Sequence, residues 1–218
     1  NVEVRPVDVN RSAWDCTLET ENHELSLRLG LRMIHGLQQK MAKRIVTCRE
    51  VNGTSTPYRS IEDFTQRTGL GRVTVAQLSR ADVFLSLTLD RRGALWNALA
   101  QEKKHRDYPL FEQDSEEDDV CLRLVPLTEW EQVFADYQTQ GLSLRAHPVS
   151  FFRQYLTEKK VACCQDLKMH PCDRKVAVAG LVLNRQRPGT AHGITFMTLE
   201  DETGVANLII HEGTWQRF

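Results

Sequence analysis

The region from Lys175 to Ile210 constrains the fold of this chain more than any other. It reads KVAVAGLVLN, then the basic loop RQRPGTAH, then GITFMTLED and ETGVANLII. Short apolar runs bounded by Gly, Pro, Asn and Asp are typical of β-strands joined by turns. The pattern predicts three consecutive strands, which is how a five-stranded OB barrel opens. The face of that fold often binds single-stranded nucleic acid.

Charge is unevenly distributed, although the 218 residues carry a net charge of only −1 at pH 7. This balance excludes a uniformly basic, DNA-coating protein. Arg28–Glu50 holds six Lys/Arg and one acid, and Lys168–His192 holds five and one. Between these two basic islands, Glu112–Asp119 holds six acids and no base. Such an acidic block is typical of a solvated linker, with a partner-binding tail as the alternative.

The rest of the chain predicts short strands followed by several helices. Ser60 with Asp63 and Thr128 with Glu131 are capping signals that open two of the helices. The predicted strands are Val2–Val4, Trp14–Leu18 and Leu25–Leu29. Four predicted helices are Leu37–Cys48, Ser60–Thr68, Val73–Ala81 and Arg91–Gln101. A fifth helix follows Thr128 and has Trp130, Val133, Phe134 and Tyr137 on its apolar face. A sixth follows Pro148 and directs Phe152, Tyr155 and Leu156 inward.

The segment Ile34-His35-Gly36-Leu37 predicts a phosphate-binding turn. Gly36 permits the positive φ of a tight turn, and the next helix then begins near Gln38. Its first N–H groups have no partner inside the helix, so with the helix dipole they form an anion site. Lys40, one turn in, adds a positive charge. This is the logic of a helix-hairpin-helix element; the alternative is a plain turn between packed elements.

A second hairpin is predicted at Ala81-Asp82-Val83-Phe84. Asp82 occupies the position where the motif has glycine, and a carboxylate there would repel phosphate. We therefore expect this hairpin to be structural. Arg91 and Arg92 follow it and are candidates for DNA contact, with a solvated helix face as the alternative.

Nearly the whole chain resembles the error-prone, damage-inducible branch of the bacterial C-family DNA polymerases. The second hairpin of that branch also carries the Asp. The similar segments, in chain order, are Val2–Asn10, Leu29–Gly36, Ala81–Phe84, Leu89–Arg92, Tyr137–Leu144 with His147-Pro148, and the OB-like motifs RQRPGTAHG and TLEDETG.

The resemblance implies a DNA-binding, C-terminal part of a polymerase that copies past lesions. It implies primer–template DNA as partner and Mg²⁺ held by a catalytic palm upstream of Asn1. This chain has no acid run on an apolar strand, so we expect no catalytic residues, no metal ligands and no polymerase activity from it alone. The candidate DNA contacts are Arg32, His35, Gly36, Gln38, Lys40, Lys43, Arg44, Arg91, Arg92, Arg185 and Arg187.

We therefore expect an α+β fragment of a larger protein: a small β/α lead-in, a helical tandem helix-hairpin-helix domain, a helical linker and a truncated OB-fold β-barrel. The expected segments are 1–28 (end of the polymerase fingers region), 29–107 (hairpin domain), 108–170 (acidic linker and connecting helices) and 171–218 (N-terminal part of the OB fold). Six Cys without a secreted spacing, no signal peptide and no spanning apolar run predict a cytoplasmic protein with no membrane partner.

Three patterns compete with this interpretation. Cys163, Cys164, His170 and Cys172 offer four zinc ligands, but adjacent cysteines seldom close one tetrahedral site. Tyr108–Phe111 ends like a sliding-clamp-binding peptide, but Pro109 and the lack of a nearby upstream Gln weaken that match. Docking of Leu110 and Phe111 on the helical domain is the favoured alternative. Phe196 is a candidate stacking platform, with a core position favoured because Ile194 shares its face.

Two other functions are weighed against DNA holding. In one, the chain binds protein partners of a mutagenesis complex, including a sliding clamp directly or through an adaptor, and contacts little DNA. The near-neutral charge favours that alternative, whereas the paired basic islands favour DNA binding. In the other, the chain is an independent nuclease- or ligase-like enzyme, and the sequence shows no carboxylate or lysine constellation for it.

Overall fold

A computed structural model of the chain describes residues 2–21, 23–51, 54–87, 90–100, 124–191, 193–215 and 217. The chain divides into two compact units, Asn1–Leu144 (unit 1) and Arg145–Phe218 (unit 2). The acidic segment Glu112–Asp119 and the Tyr108–Phe111 peptide lie outside the described residues, and the four predicted segments stay a prediction. Among the described helices, none is long and apolar enough to cross a membrane.

Unit 1 opens with a three-stranded sheet of β1 (Glu3–Arg5), β2 (Thr17–Glu21) and β3 (Glu24–Arg28). The order is β1-β3-β2, with β1 parallel and β2 antiparallel to β3. Arg28 is buried and donates to the Glu19 carboxylate at 3.0 and 2.9 Å. The first charge of the basic island between residues 28 and 50 therefore faces inward.

The helical part of unit 1 follows the predicted order. Ser60 caps its helix by accepting from the Asp63 N–H at 3.1 Å, and Thr128 with Glu131 forms a reciprocal capping box. The elements are a 3₁₀ turn (Leu31–Met33), α1 (Gln39–Arg49), β4 (Glu50–Val51), β5 (Thr54–Ser55), α2 (Ile61–Thr68), α3 (Arg72–Arg80), a 3₁₀ turn (Leu85–Leu87), α4 (Arg91–Ala100) and α5 (Glu129–Gln140).

One hydrophobic core joins the segment between β1 and β2 to the helices. Val7 and Val9 are buried in the same cluster as the apolar residues of α1, α2 and α3. At its centre the Phe64 ring packs edge-on against Tyr58 and Phe84, with ring centroids 5.0 and 5.2 Å apart. The same core includes residues of both predicted hairpins, Ile34 and Leu37 of the first and Val83 and Phe84 of the second.

Unit 2 contains the predicted strand series. Its elements are a 3₁₀ turn (Pro148–Phe152), α6 (Arg153–Glu158), β6 (Val161–Ala162), a 3₁₀ turn (Gln165–Met169), β7 (Ala177–Val178), β8 (Leu181–Gln186), a 3₁₀ turn (Gly189–Ala191), β9 (Thr195–Asp201), β10 (Gly204–Ile210) and α7 (Glu212–Trp215). The last three strands form an antiparallel meander, β8-β9-β10, with a bulge between Val182 and Asn184. The sheet is open, so a truncated OB barrel is not confirmed.

A buried carboxylate anchors the β9–β10 turn of unit 2. Asp201 accepts from the Thr203 N–H at 2.8 Å and from the Cys164 N–H at 2.8 Å, and it pairs with Arg153 at 3.0 Å. Burial opposes its ionisation, but the hydrogen bonds from Thr203 and Cys164 outweigh burial and hold the pKa of Asp201 well below its usual range. This single side chain therefore ties α6 and the Cys164 turn to the sheet.

Two predicted apolar faces are observed only in part. On α5 the buried residues are Val133 and Asp136, while Phe134 is 53% exposed, because the helix turns a carboxylate inward to meet a buried cation. Phe152 and Tyr155 are also exposed. The segment that contains them begins as a 3₁₀ turn, which has three residues per turn. An apolar face predicted with the α-helical period of 3.6 residues per turn therefore does not match the observed side-chain directions.

Candidate nucleic-acid interface

The first hairpin turn has the predicted backbone. Gly36 has a φ of +75°, and Ile34 and Leu37 on either side are buried in the core of unit 1. A Cβ at Gly36 would lie 3.3 Å from the Gln77 Nε2 atom. The position therefore favours glycine twice, for the positive φ and for the close approach of Gln77.

Two helices hold this turn in place from outside. The His35 N–H donates to the Thr139 carbonyl of α5 at 2.8 Å, and the His35 carbonyl accepts from the Gln77 side chain of α3 at 2.5 Å. His35 Nδ1 also lies 3.2 Å from the Gln138 carbonyl. The turn is thus bonded on both sides, and the ring of His35 stays at the surface.

The N-terminus of α1, which follows this turn, has no cap. Gln38 at the N-cap makes no side-chain hydrogen bond to the helix, and the first turn holds no acid. The first backbone bonds to the Gln38 carbonyl come from Met41 and Ala42. Among the described residues, the N–H groups of Gln39 and Lys40 therefore have no acceptor, and they are aligned with the positive end of the helix dipole.

Three exposed cations lie in the first two turns of this helix, namely Lys40, Lys43 and Arg44. Within the described part of the chain, no ion pair occupies Lys40 or Lys43. Arg32 is exposed too, but it pairs with Asp15 at 2.6 Å. Arg49, by contrast, is buried and donates to the Val9 carbonyl at 3.1 Å, and burial lowers the pKa of its guanidinium.

The second hairpin turn differs from the first in its chemistry. Asp82 adopts a φ of +60°, so it takes the backbone conformation that Gly36 has in the first turn. Its carboxylate lies 3.8 Å from Arg91, which also pairs with Asp136 and donates to the Gln132 carbonyl at 3.1 Å. The Arg91 side chain is only 7% exposed. Arg91 therefore lies in the interior of unit 1, away from any surface that DNA could reach.

The helix after the second turn is also less suited to an anion. Asp90 accepts from the Gly93 N–H at 2.7 Å, so a carboxylate already caps α4. Arg92 donates to the Val125 carbonyl at 2.6 Å and lies 3.7 Å from Glu131. The geometry favours the first hairpin as the one that can hold a phosphate.

In unit 2 the residues predicted to contact nucleic acid do not share one face of the sheet. Arg185 lies within β8 opposite Met197, whereas Phe196 lies opposite Gln186 and Ile209, so Arg185 and Phe196 are on different faces of the sheet. Phe196 is 42% exposed, so the core position favoured from the sequence is wrong. Arg187 is exposed and pairs with Glu212 at 2.8 Å.

No group of three or more potential metal ligands occurs among the described residues, and Cys163, Cys164, His170 and Cys172 form no such cluster. Cys164 is buried and donates its N–H to Asp201, whereas Cys172 is exposed. The described residues therefore do not fit a catalytic Mg²⁺ site.

Sequence reasoning missed the residues that hold the first turn. Gln77 and Gln138 meet His35 from 42 and 103 residues away along the chain. Thr139 contributes a carbonyl, which every residue possesses, so no local pattern marks it. Only the packing of α3 and α5 brings these groups to the turn.

The fold of this region agrees with a family comparison. Residues 1–94 match the model of the helix-hairpin-helix motif, which covers both hairpin turns but not α5.

The full chain is similar to several error-prone DNA polymerases. It is 43% identical over 219 residues to one from Rhodopirellula baltica, and the match covers 100% of this chain and 19% of that protein. It is 40% identical to error-prone DNA polymerase 1 of Rhizobium meliloti (100% and 21%) and 40% identical to error-prone DNA polymerase 2 of Agrobacterium fabrum (99% and 20%). Along its whole length, the chain is therefore similar to error-prone DNA polymerases, and it spans about one fifth of the length of these relatives.

Proposed function

We propose that this chain is a DNA-holding region of a cytoplasmic error-prone DNA polymerase that acts in translesion synthesis. In this proposal the first hairpin grips the backbone of the primer–template duplex. The Mg²⁺-dependent chemistry belongs to a catalytic domain outside this chain. The observation that carries the proposal is the uncapped N-terminus of α1, which follows the Gly36 turn and has the exposed cations Lys40, Lys43 and Arg44 in the first two turns of the helix.

This helix end offers several weak attractions to one phosphate. Unpaired N–H groups point outward from α1, and the helix dipole favours negative charge there. Lys40 on the same first turn adds a full positive charge. Contacts of this type fix a protein on the duplex without reading its sequence. They suit a polymerase, which must hold any primer–template equally well.

Replacing Lys40 with alanine is expected to weaken duplex binding by a charge effect alone. One phosphate is then no longer neutralised, so the slope of log affinity against log salt should become shallower by about 0.9. Affinity should fall by a similar factor on duplexes of unrelated sequence. The measurement is fluorescence anisotropy of a labelled primer–template over a series of salt concentrations.

Lys159→Ala is the matched control, because Lys159 is an exposed lysine at the end of α6 in unit 2. It should leave the duplex slope unchanged. If Lys40→Ala binds with the wild-type slope, the Gly36 turn is only a turn. The alternative of a protein-interaction module within a mutagenesis complex then gains support.

We further propose that the β8–β10 sheet approaches the single-stranded template. Arg185 and Arg187 are both exposed on or just after β8, and Phe196 presents a ring on the other face. Single strands are held by cations that follow the backbone and by aromatic rings that stack on bases. Since Arg185 and Phe196 lie on opposite faces, the arginine face is the one proposed for the strand.

The double variant Arg185→Ala with Arg187→Ala should bind oligo-dT more weakly, with a slope shallower by about 0.7 for each phosphate that is no longer neutralised. Glu212→Gln should have the opposite effect, because it releases Arg187 from its ion pair. Anisotropy with labelled oligo-dT measures both. Equal binding by wild type and by the double variant would assign single-strand contact to another surface.

A further inference from the structure

The last turn of α5 contacts both hairpin turns of unit 1. On one side, the Thr139 carbonyl accepts from the His35 N–H at 2.8 Å, and the Gln138 carbonyl lies 3.2 Å from His35 Nδ1. On the other side, Gln140 Nε2 donates to the Ala81 carbonyl at 2.9 Å. A single helix end therefore bridges the two turns, although α5 lies outside the residues that match the motif model.

A buried ion pair attaches α5 to the second hairpin more firmly. Asp136 accepts from Arg91 and from the Ser143 hydroxyl, the latter at 2.7 Å. Arg91 lies 3.8 Å from the Asp82 carboxylate. The guanidinium is thus shared between the second turn and α5, so the helix cannot shift without leaving a buried charge poorly paired.

The residue that ends α5 is fitted to the first turn. Gly141 has a φ of +75°, and its N–H caps the helix on the Tyr137 carbonyl. A Cβ at this position would lie 3.2 Å from His35 Nε2. Any side chain here would press on the ring of His35, the residue just before Gly36.

We infer that the last turn of α5 is a positioning element of the phosphate site, holding His35 and Gly36 in the bend that presents the α1 amides. The inference rests on the proposed DNA contact of the first hairpin. α5 need not touch DNA itself, since it acts through His35. A turn that is ordered before binding loses less conformational entropy on binding phosphate, so bracing it raises affinity.

Gly141→Ala in the full chain tests this directly. The added methyl group presses on His35, so amide exchange at the His35 N–H should quicken. Duplex affinity should fall about fivefold, which corresponds to about 1 kcal/mol of binding free energy. The salt slope should stay at the wild-type value, because Lys40, Lys43 and Arg44 are all retained. A loss of affinity without a change in slope distinguishes positioning from direct charge contact.

Two further variants control the experiment. Phe134→Ala shortens an exposed side chain on the same helix and should change neither exchange nor affinity. His35→Ala removes the ring that the methyl group meets, so Gly141→Ala should cost less affinity in that background than in wild type. If Gly141→Ala fails to fold, Gly141→Asn replaces it, because asparagine tolerates the left-handed backbone while still bringing a Cβ to His35.

Failure of the inference and failure of the proposed function give different results. If Lys40→Ala lowers the salt slope but Gly141→Ala binds like Phe134→Ala, α5 is not a positioning element and the DNA contact stands. If Lys40→Ala leaves duplex binding unchanged, both ideas fall together. An equal fivefold loss from Gly141→Ala in the wild-type and His35→Ala backgrounds would also overturn the inference, since the effect would then not pass through His35.

Discussion

Asp136→Ala is expected to lower the free energy of unfolding of unit 1 by about 3 kcal/mol. The substitution removes the carboxylate that pairs with Arg91, whose side chain is almost fully buried. The other carboxylate near Arg91 in the described part of the chain, that of Asp82, is 3.8 Å away and is a weaker partner. A buried cation without a close partner costs far more than the pair itself contributes. The loss in the free energy of unfolding is measured by urea titration, with amide exchange in α1 to α4 as the readout for unit 1.

The double variant Arg91→Met with Asp136→Leu separates the two explanations for that loss. Replacing both members of a buried pair by apolar residues of similar size is often nearly neutral. The double variant should therefore recover most of the stability that Asp136→Ala loses. Asp15→Ala is the surface control, because its pair with Arg32 is exposed on both sides and should contribute little. A stable Asp136→Ala chain would mean that Arg91 finds water or another partner.

Asp201→Asn is expected to lower the free energy of unfolding of unit 2 by about 3 kcal/mol at pH 7. The carboxylate accepts from Thr203, Gly204 and Cys164 and pairs with Arg153. An amide group keeps one acceptor but turns N–H donors toward groups that are donors themselves. Arg153 would keep its contact with Glu202, so unit 2 should still fold.

The loss from Asp201→Asn should depend on pH in a defined direction. The folded pKa of Asp201 lies well below its usual value of 3.8, so its ionised form stabilises the fold. That contribution is fully present above about pH 5 and declines as pH falls below the unfolded pKa toward the folded one. The gap in urea midpoint between wild type and Asp201→Asn should therefore narrow from pH 5 downward.

Amide exchange in β9 and β10 at pH 7, 5, 4 and 3 measures the corresponding difference in the free energy of unfolding for unit 2 alone. Glu212→Gln is the control, because it changes a carboxylate that is half exposed and pairs with the exposed Arg187. It should show no comparable dependence. A gap of constant size from pH 7 to pH 3 would mean that the ionised form of Asp201 does not stabilise unit 2.

Local patterns were sufficient wherever a residue determines its own backbone. Gly36 predicted a positive φ, Ser60 and Thr128 predicted helix starts, and Gly and Pro residues delimited three strands; all are observed. The reason is that turn and cap preferences arise within a few residues of the chain. The family resemblance rests on several short segments that occur in the same order along the chain. The similarity to error-prone DNA polymerases confirms it.

The candidate site was predictable only in part. Lys40, Lys43 and Arg44 are exposed beside an uncapped helix, as the sequence predicted. Arg91 was also a candidate DNA contact from the sequence, but its side chain is buried. Its partner Asp136 is 45 residues away, and a charge pattern does not reveal whether such a partner will be near.

By itself, the sequence determined the bend at Gly36, the helix that follows it and the series of strands after Lys175. Tertiary structure alone decided which cations face solvent and which residues hold the bend. It turned Asp136 of α5 inward and Phe134 outward, against the apolar pattern of the helix. Burying Arg91 requires a carboxylate at that point, and the free energy of leaving a buried charge unpaired exceeds that of exposing one phenylalanine ring.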